Sequence, residues 1–315
     1  MDFHALCTQL NLGALIVEPT RLYGGLMHKM YRIATEGGVY AVKCLNPHVM
    51  ARPTAADNFS VAEELERKLE QTDLPLLPAL TIGGQKMQKV DDDYYYLFPY
   101  FDGKALTESH ITPRHCASVG EVLAILHGVE EKYVCADRAF LNFHWEQFDF
   151  EEEDVLTLNH LQSAANAASL PHRITICHND MDPKNVLWHG MDCRVIDLEC
   201  LGYGSPYLEL LETALCWAGY ARGEVDFDRF TAFVSAYAKA GGDLAADWAA
   251  VYAANCGRLE WLHYNLLRAN GSEGEENRQL GAAEVEKTLT CIRGYAKMEE
   301  KIVGVMEQMK KEGLE

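Results

Sequence analysis

The sequence contains neither a long apolar run nor a basic leader at its start. No stretch approaches the roughly 18 consecutive apolar residues that a membrane-spanning helix requires. The first five residues, Met-Asp-Phe-His-Ala, include no lysine or arginine, which a secretory signal peptide carries at its start. We therefore expect a protein without a membrane segment or a cleaved leader.

Paired cysteine motifs are also lacking. The chain has 10 cysteines, but none of them form a Cys-x-x-Cys pair or another zinc-ligand spacing. Several, such as Cys44 and Cys216, lie in apolar runs, which is typical of buried reduced thiols. Because free thiols indicate a reducing compartment, we expect the protein in the cytoplasm.

Basic residues are scarce for the size of the chain. The 315 residues include 28 lysines and arginines against 47 acidic residues, which gives a formal net charge of −19. Nucleic acids and anionic membranes bind basic patches, so the charge argues against both as partners. It is compatible with a cationic small-molecule substrate, although acidity also serves solubility. The length suffices for one large domain or two lobes.

The first hundred residues predict a small antiparallel sheet with one helix. Residues 29–35 alternate as a strand does, glycines 37 and 38 indicate a hairpin turn, and residues 39–44 return as a second strand. The remaining predicted elements are a helix from about Asn58 to Gln71 with Phe59, Ala62, Leu65 and Leu69 on its apolar face, two short strands flanking Gly83 and Gly84, and a strand over 94–100 that Pro99 should end.

Beyond Asp102 and Gly103, which we interpret as a boundary, the chain is mainly helical. Thr112 and Pro113 are typical of a helix start, since they offer a capping hydroxyl and a proline at the first position. Two short strands near residues 176 and 196 interrupt the helices. The predicted helices cover approximately 113–127, 151–168, 206–219, 226–240, 244–269 and 276–311. These elements together predict an α+β fold.

The strongest functional signal is the stretch from Ile176 to Asn185, Ile-Cys-His-Asn-Asp-Met-Asp-Pro-Lys-Asn, followed by the Val-Ile-Asp that ends at Asp197. Phosphoryl transfer spreads negative charge over the phosphoryl oxygens, so its catalysis depends on positioning and on neutralisation by a metal ion. Asp180 would accept the proton of the attacking hydroxyl. Asn185 and Asp197 offer the oxygen ligands that Mg²⁺ prefers. The pattern predicts a metal-dependent phosphotransfer site.

A phosphotransfer site also needs groups that hold a nucleoside triphosphate. Gly24 and Gly25, in a turn between two predicted strands, would let backbone N–H groups approach phosphates closely. Lys43 lies on a strand among apolar residues, where a buried ammonium needs an anionic partner. The backbone from Phe98 to Tyr100 would face the edge of the nucleotide base. Together these residues form a predicted nucleotide site.

The anionic partner of Lys43 should come from the following helix. Pairing of a strand lysine with a helix glutamate orients the α- and β-phosphates in kinases. At about 100° per residue, Glu63, Glu66 and Glu70 share one flank of the apolar stripe. We choose Glu63 for this role, with Glu66 as a close alternative.

These motifs resemble those of the aminoglycoside phosphotransferase and choline kinase superfamily. The resemblance implies a bilobal protein-kinase-like fold, with a nucleotide-binding lobe at 1–100 and a catalytic and acceptor-binding lobe at 101–315. It also implies Mg²⁺ and either ATP or GTP as the phosphoryl donor. The residues that carry it are Gly24 and Gly25, Lys43, the Gly-Glu-Val-Leu-Ala-Ile-Leu-His of 120–127, the Cys-His-Asn-Asp of 177–180 and the Asp-Leu-Glu of 197–199.

Within that superfamily the motifs point in two directions. The Cys-His-Asn-Asp form resembles choline kinases more than the His-Gly-Asp of aminoglycoside kinases. The stretch from Asp180 to Trp188, however, resembles bacterial phosphotransferases that are labelled aminoglycoside kinases. The acceptor is thus expected to be an aminoglycoside-like amine, with choline, ethanolamine or another amino alcohol as the alternative.

Departures from the protein-kinase pattern favour a small-molecule acceptor. The chain has no Asp-Phe-Gly and no Ala-Pro-Glu segment, and Ser205 and Pro206 follow only eight residues after Asp197. A peptide acceptor needs an activation segment in that interval. A nucleotide-binding pseudokinase with an interaction role is the alternative of another class, and it is weakened because all the expected catalytic side chains are present.

Carboxylates and aromatic faces suit an acceptor that carries an ammonium group. Trp and Tyr side chains at helical spacing are more often part of a core, so this part of the site is the least specific. The candidate acceptor contacts are Asp182, Glu199, Trp217, Glu260 and Trp261.

Overall fold

The computed structural model describes residues 2–23, 28–134 and 139–312, apart from the side chain of Glu276. Within these residues it contains eleven β-strands. They are β1 (Leu15–Leu22), β2 (Lys29–Thr35), β3 (Gly38–Cys44), β4 (Gln88–Val90), β5 (Asp93–Pro99), β6 (Lys104–Ala105), β7 (Glu131–Tyr133), β8 (Arg173–Cys177), β9 (Val186–His189), β10 (Asp192–Val195) and β11 (Gly202–Gly204).

Ten α-helices accompany the strands in the same described ranges, and none of them is long and apolar enough to cross a membrane. They are α1 (Phe3–Gln9), α2 (Pro47–Met50), α3 (Ala55–Leu69), α4 (Pro113–His127), α5 (Glu152–Ala167), α6 (Pro206–Trp217), α7 (Phe227–Lys239), α8 (Trp248–Ala254), α9 (Gly257–Ala269) and α10 (Arg278–Glu312).

The chain divides into two compact units. Unit 1 comprises Met1–Leu106 and His178–Gly202, and unit 2 comprises Thr107–Cys177 and Tyr203–Glu315. The predicted division into a nucleotide lobe at 1–100 and an acceptor lobe at 101–315 is a functional division and stays a prediction.

Unit 1 is built on a five-stranded antiparallel sheet in the order β1-β2-β3-β5-β4. The predicted hairpin is confirmed: β2 pairs with β3 from Lys29 opposite Cys44 to Thr35 opposite Gly38. Gly38 has a φ of +148°, which a residue with a side chain rarely adopts. The strand β5 ends at Pro99, as the missing N–H of proline predicts.

Helix α3 covers the part of this sheet that carries Tyr96. Its buried face contains Phe59, Ala62, Leu65 and Leu69, as its 3.6-residue periodicity predicts. The helix starts three residues before the predicted Asn58. Glu66 is buried on the same face, which the polar character of the residue did not suggest.

Helix α1, and the extent of the strand expected before Gly24, escaped prediction. Helix α1 contributes Leu6 to the core beneath Ile33 and Val42. Strand β1 contains Pro19, and its pairing with β2 shifts register twice between Leu15 and Thr20. These irregularities disturb the two-residue alternation that identifies a strand. A third difference is that an isolated bridge between Ile82 and Gln85 stands at Gly83 and Gly84, in place of the first of the two strands predicted to flank them.

The hairpin of β9 and β10 completes unit 1. Asp192 pairs with His189 and Val195 pairs with Val186, while β6 lies on the outer side of β9. The end of β10 is fixed to a second segment, because the N–H of Val195 donates to the carbonyl of Pro75 at 2.8 Å. This hairpin therefore ends at a fixed point two residues before Asp197.

Unit 2 is mainly helical, with β7 and β8 as an antiparallel pair and β11 on the other side of β8. Helices α4 and α7 pack closely at Gly120, where an added Cβ would lie 2.3 Å from the carbonyl oxygen of Phe233. The predicted helix at 244–269 is wrong, because Asn255 is extended and separates α8 from α9. The side chain of Asp247 caps the start of α8, and Gly257 begins α9.

The fold is thus of the predicted α+β class, with an N-terminal antiparallel sheet and a larger, mainly helical part. The nine cysteines within the described ranges are all free thiols, and six of them are buried.

Candidate active site

The segment from His178 to Asn185 is held in place by the ring of His178, which is fully buried. Its Nδ1 accepts the backbone N–H of Asp180 at 3.3 Å, so the ring proton lies on Nε2. Nε2 donates to the carbonyl of Ile196 at 3.0 Å. The ring therefore fixes the backbone of Asp180 relative to the residue that precedes Asp197.

The carboxylate of Asp180 is oriented by one donor on each oxygen. Lys184 Nζ lies 2.8 Å from Oδ1, and the amide Nδ2 of Asn185 lies 2.9 Å from Oδ2. The same Nδ2 also donates to the backbone carbonyl of Asp180 at 2.8 Å. A half-buried carboxylate held at both oxygens is suited to act as a positioned general base.

The surroundings of Asp180 raise the pKa of its carboxyl group. Burial makes the largest contribution, and the nearby carboxylate of Asp182 adds to it by repulsion. Lys184 opposes both effects, and it also contacts Asp182 at 3.0 Å. Burial disfavours the charged form of Lys184, but the two carboxylates outweigh it and raise the pKa of this lysine, so Lys184 stays protonated.

Asn185 and Asp197 present their side chains from adjoining segments. The backbone N–H of Ile196 donates to the carbonyl of Asn185 at 2.9 Å, which ties the two segments together. Asp197 has a φ of +64°, in the left-handed region that few non-glycine residues adopt. Its carboxylate is 35% exposed, so this turn holds an accessible acid. Backbone strain of this kind is concentrated at functional sites.

The donor set fits a hard divalent cation. Asn185 uses its Nδ2 for Asp180, which leaves its amide oxygen as the atom for a ligand. Asp197 adds a carboxylate, so both candidate ligands offer oxygen atoms, which suit a hard cation better than a soft one. Oxygen ligands of this type are those that Mg²⁺ takes together with substrate phosphates.

Lys43 is almost fully buried and contacts two carboxylates of the segment that follows β10. Its Nζ lies 2.7 Å from Oδ1 of Asp197 and 3.0 Å from Oε1 of Glu199. Burial acts to lower the pKa of Lys43, but Glu199 and Asp197 outweigh it and raise the pKa. Burial also disfavours the ionised form of Asp197, yet Lys43 holds its pKa below the usual range. Both groups are thus charged at neutral pH.

The predicted pairing of Lys43 with Glu63 is replaced by this arrangement. Glu63 accepts hydrogen bonds from the hydroxyl of Tyr96 at 2.9 Å and from the backbone N–H of Met87 at 3.2 Å. Glu66, the close alternative, contacts Lys86 at 3.1 Å and the backbone N–H of Ala79 at 2.5 Å. Because other donors occupy both glutamates, helix α3 is held to β5 and to the segment before it without the participation of Lys43.

The remaining nucleotide candidates give a mixed picture. Gly24 and Gly25 lie outside the described residues. Phe98 pairs with Ala41 inside the sheet. The N–H of Tyr100 donates to the carbonyl of Val39 at 3.2 Å. The role of the backbone from Phe98 to Tyr100 at a nucleotide base stays a prediction.

The acceptor candidates lie in different environments. Asp182 and Glu199 belong to unit 1 and are partly exposed, in the groups around Asp180 and Lys43 respectively. Trp217 is 0% exposed and packs in the core of unit 2, so neither face of its ring is open to a ligand. Glu260 is exposed, and the half-buried Trp261 stacks on the ring of Tyr264. Trp217 is therefore no longer an acceptor candidate.

Two residues near these groups had no sequence signal. His28 contacts Glu199 at 3.3 Å, and Lys86 is fully buried between Glu66 and Glu70. A single histidine or lysine without characteristic spacing is not informative in the sequence.

The sequence profile of the phosphotransferase enzyme family, APH, matches residues 20–254. This range includes all the residues of the site described above in unit 1. Comparison with curated protein sequences gives no match.

Solved structures give a consistent account of the fold. An amicoumacin kinase in complex with AMP-PNP, Ca²⁺ and Ami is 13% identical, covers 96% of this chain and 94% of its own, and superposes with a TM-score of 0.62. A choline/ethanolamine kinase family protein from Mesorhizobium loti is 17% identical, with 88% and 93% covered and a TM-score of 0.55. A spectinomycin phosphotransferase in complex with ADP and spectinomycin is 14% identical, with 92% and 93% covered and a TM-score of 0.59. At these identities the likeness establishes the protein-kinase-like fold.

Proposed function

Because the chain belongs to the phosphotransferase enzyme family, we propose that it transfers the γ-phosphoryl group of ATP or GTP to a hydroxyl of a small, amine-bearing acceptor. An aminoglycoside-like acceptor comes first, and choline, ethanolamine or another amino alcohol is the alternative. The observation that carries the proposal is the carboxylate of Asp180, held at both oxygens and joined through Asn185 to the turn of Asp197.

In the proposed reaction Asp180 acts as the base. The acceptor oxygen attacks the γ-phosphorus while its proton passes to the Asp180 carboxylate. The bond between the γ-phosphorus and the bridging oxygen breaks, and the nucleoside diphosphate leaves with that oxygen. The raised pKa of Asp180 makes it a stronger base than an exposed aspartate.

Asn185 and Asp197 would hold Mg²⁺, which supplies charge neutralisation for the phosphates when bound. The amicoumacin kinase structure contains AMP-PNP and Ca²⁺, which supports ATP and a divalent cation for this chain as well. Lys43 has a protonated nitrogen beside Asp197 and so stands next to the bound phosphates in this scheme. Lys43 also contacts the carboxylate of Glu199, so two carboxylates share this one ammonium group.

In this proposal, carboxylates bind the amine of the acceptor. Asp182 lies beside the base, since Lys184 bridges Asp182 and Asp180. Glu260 and Trp261 on α9 are the candidates from unit 2, and together they present a carboxylate and an aromatic ring. The spectinomycin phosphotransferase and the choline/ethanolamine kinase family protein have names that denote amine-bearing acceptors, which supports this class.

A screen of nucleotide consumption tests the proposal. ATP and GTP, each with Mg²⁺, are offered with aminoglycosides, choline, ethanolamine, other amino alcohols and neutral sugars, and D180N is run in parallel. We expect acceptor-dependent consumption that D180N abolishes. A wild-type protein that binds nucleotide tightly but consumes none with any acceptor would support the alternative of a nucleotide-binding pseudokinase. Faster phosphorylation of a neutral sugar than of every amine would exclude the amine-bearing class.

A further inference from the structure

His28 directly precedes β2 and lies three residues after Gly25 in the sequence. Its side chain is 11% exposed. Nδ1 accepts the backbone N–H of Asn46 at 3.0 Å, so the proton of the neutral ring lies on Nε2. The backbone of Asn46 thereby fixes the direction of a single N–H donor.

That donor shares a carboxylate with Lys43. Nε2 of His28 lies 3.3 Å from Oε2 of Glu199, and Nζ of Lys43 lies 3.0 Å from Oε1 of the same group. One anionic group with two oxygens therefore bridges an imidazole N–H and an ammonium. A phosphate group offers the same pair of anionic acceptors with more negative charge.

Glu199 is held in this cluster by its two ionic contacts. Its Oε1 is buried, and apart from the ammonium of Lys43 no donor among the described residues is placed to hydrogen-bond to it. A phosphate that takes over both donors would therefore replace the contacts of both carboxylate oxygens.

We propose, on the basis of the function proposed above, that His28 and Lys43 form a two-donor clamp for a phosphate of the bound nucleotide. Glu199 occupies both donors until the phosphate displaces its carboxylate. Nε2 of His28 donates to one phosphate oxygen, and Nζ of Lys43 pairs with a second. In this arrangement His28 is a nucleotide-binding residue whose partner changes from Glu199 to phosphate.

Binding measured with and without phosphates separates this role from a structural one. Adenosine, ADP and ATP are titrated into the wild type, H28A, H28Q and H28N in the presence of a chelator. H28A should weaken ATP binding by up to about tenfold and leave adenosine binding unchanged, since the hydrogen bond to phosphate is lost and the longer contact with Glu199 in the free protein offsets only part of that loss. H28Q should restore the affinity for ATP, because the amide nitrogen of glutamine lies as far along the side chain as Nε2 of histidine. H28N should not restore it, because the amide nitrogen of asparagine lies only as far along as Nδ1.

E199Q should change the affinity for ATP in the opposite direction to H28A. Loss of the competing negative charge should tighten metal-free ATP binding, and the gain should be smaller in the H28A background because one donor is missing. Thermal unfolding of each variant identifies any that fail to fold. If H28A is one of them, the comparison of H28Q with H28N still tests the donor at Nε2.

The outcomes separate the two proposals. Equal losses of ATP and adenosine affinity in H28A, or no gain in E199Q, would overturn the clamp. Normal ATP binding by H28A would overturn it as well, while leaving the proposed phosphotransferase activity intact. A wild-type protein that binds neither ATP nor GTP would overturn both.

Discussion

The ammonium nitrogen of Lys184 lies 2.8 Å from Oδ1 of Asp180. The reacting hydroxyl must approach that carboxylate to about 2.6–3.2 Å, so it would stand beside Nζ as well. Lys184 thereby offsets the negative charge that Asp180 and Asp182 would otherwise present to an incoming phosphoryl group. The charge of Lys184 therefore influences how Asp180 acts as a base, and the prediction of pH dependence below tests this influence.

Replacement of the base should abolish turnover and spare the fold. D180N keeps an acceptor oxygen and the size of the side chain but cannot take the proton, so kcat should fall by about 10²–10⁴. Nucleotide affinity and thermal unfolding should stay close to the wild type. D92N, which changes an exposed aspartate in the turn before β5, is the matched control. Near-normal turnover by D180N on the best acceptor would contradict its assignment as the base.

The pH dependence of kcat should report the charges around Asp180. Because burial and Asp182 raise its pKa above the ordinary value of 3.8, the loss of activity on acidification should begin above that value. D182N removes a like charge, so the acid limb should move to lower pH. K184M removes the opposing cation, so the limb should move to higher pH. Profiles for the two variants that shift in the same direction would be inconsistent with this arrangement.

Asp197 should matter more to metal-dependent than to metal-free nucleotide binding. D197A removes a charged ligand of Mg²⁺ and, at the same time, one of the two carboxylates that contact Lys43. Calorimetric titration of ATP with Mg²⁺ should therefore show a large loss of affinity. Without Mg²⁺ the loss should be small, because the freed Lys43 pairs with phosphate. Equal losses in both conditions would indicate a structural role for Asp197.

The buried pair of Lys86 and Glu66 should dominate the stability of unit 1. Lys86 is 0% exposed, so K86M leaves the buried carboxylate of Glu66, and the more exposed carboxylate of Glu70, without their cation. The expected loss of unfolding free energy is about 3–5 kcal/mol. K68M is the control, because Lys68 pairs with Glu64 on the exposed side of α3 and should contribute less than about 1 kcal/mol. The double variant K86M/E66Q should recover part of the loss, and equal effects of K86M and K68M would argue against a buried role.

Chemistry that depends on local spacing could be predicted from the sequence. Asp180 and Asn185 belong to one short segment, and their contact needs only the turn between them. The hairpin of β2 and β3 could be predicted for the same reason, because its turn glycines and its alternation of side chains lie close together in the sequence. In both cases the interactions that fix the structure lie close together in the chain.

Contacts between distant segments could not be predicted in the same way. Helical periodicity places Glu63 and Glu66 on the correct face of α3, but it does not reveal that Tyr96 and Lys86 meet them there. The partner of Lys43 comes from 154 residues away. The break at Asn255 likewise depends on a tertiary contact, since its amide donates to Glu212 at 3.0 Å. Such choices of partner are decided by packing and not by propensity.

The last prediction concerns the acceptor amine. Glu260 is exposed on α9 beside Trp261, so E260Q should raise the KM for the amine acceptor and leave the KM for nucleotide unchanged, as expected for lost ground-state binding. Because an exposed carboxylate is screened by salt, the increase should be no more than about fivefold and should shrink as ionic strength rises. E286Q, which neutralises an exposed glutamate on α10, is the control for net charge. If E260Q and E286Q change the acceptor KM equally, Glu260 acts only through the overall charge of −19, and the amine must be held by other carboxylates such as Asp182.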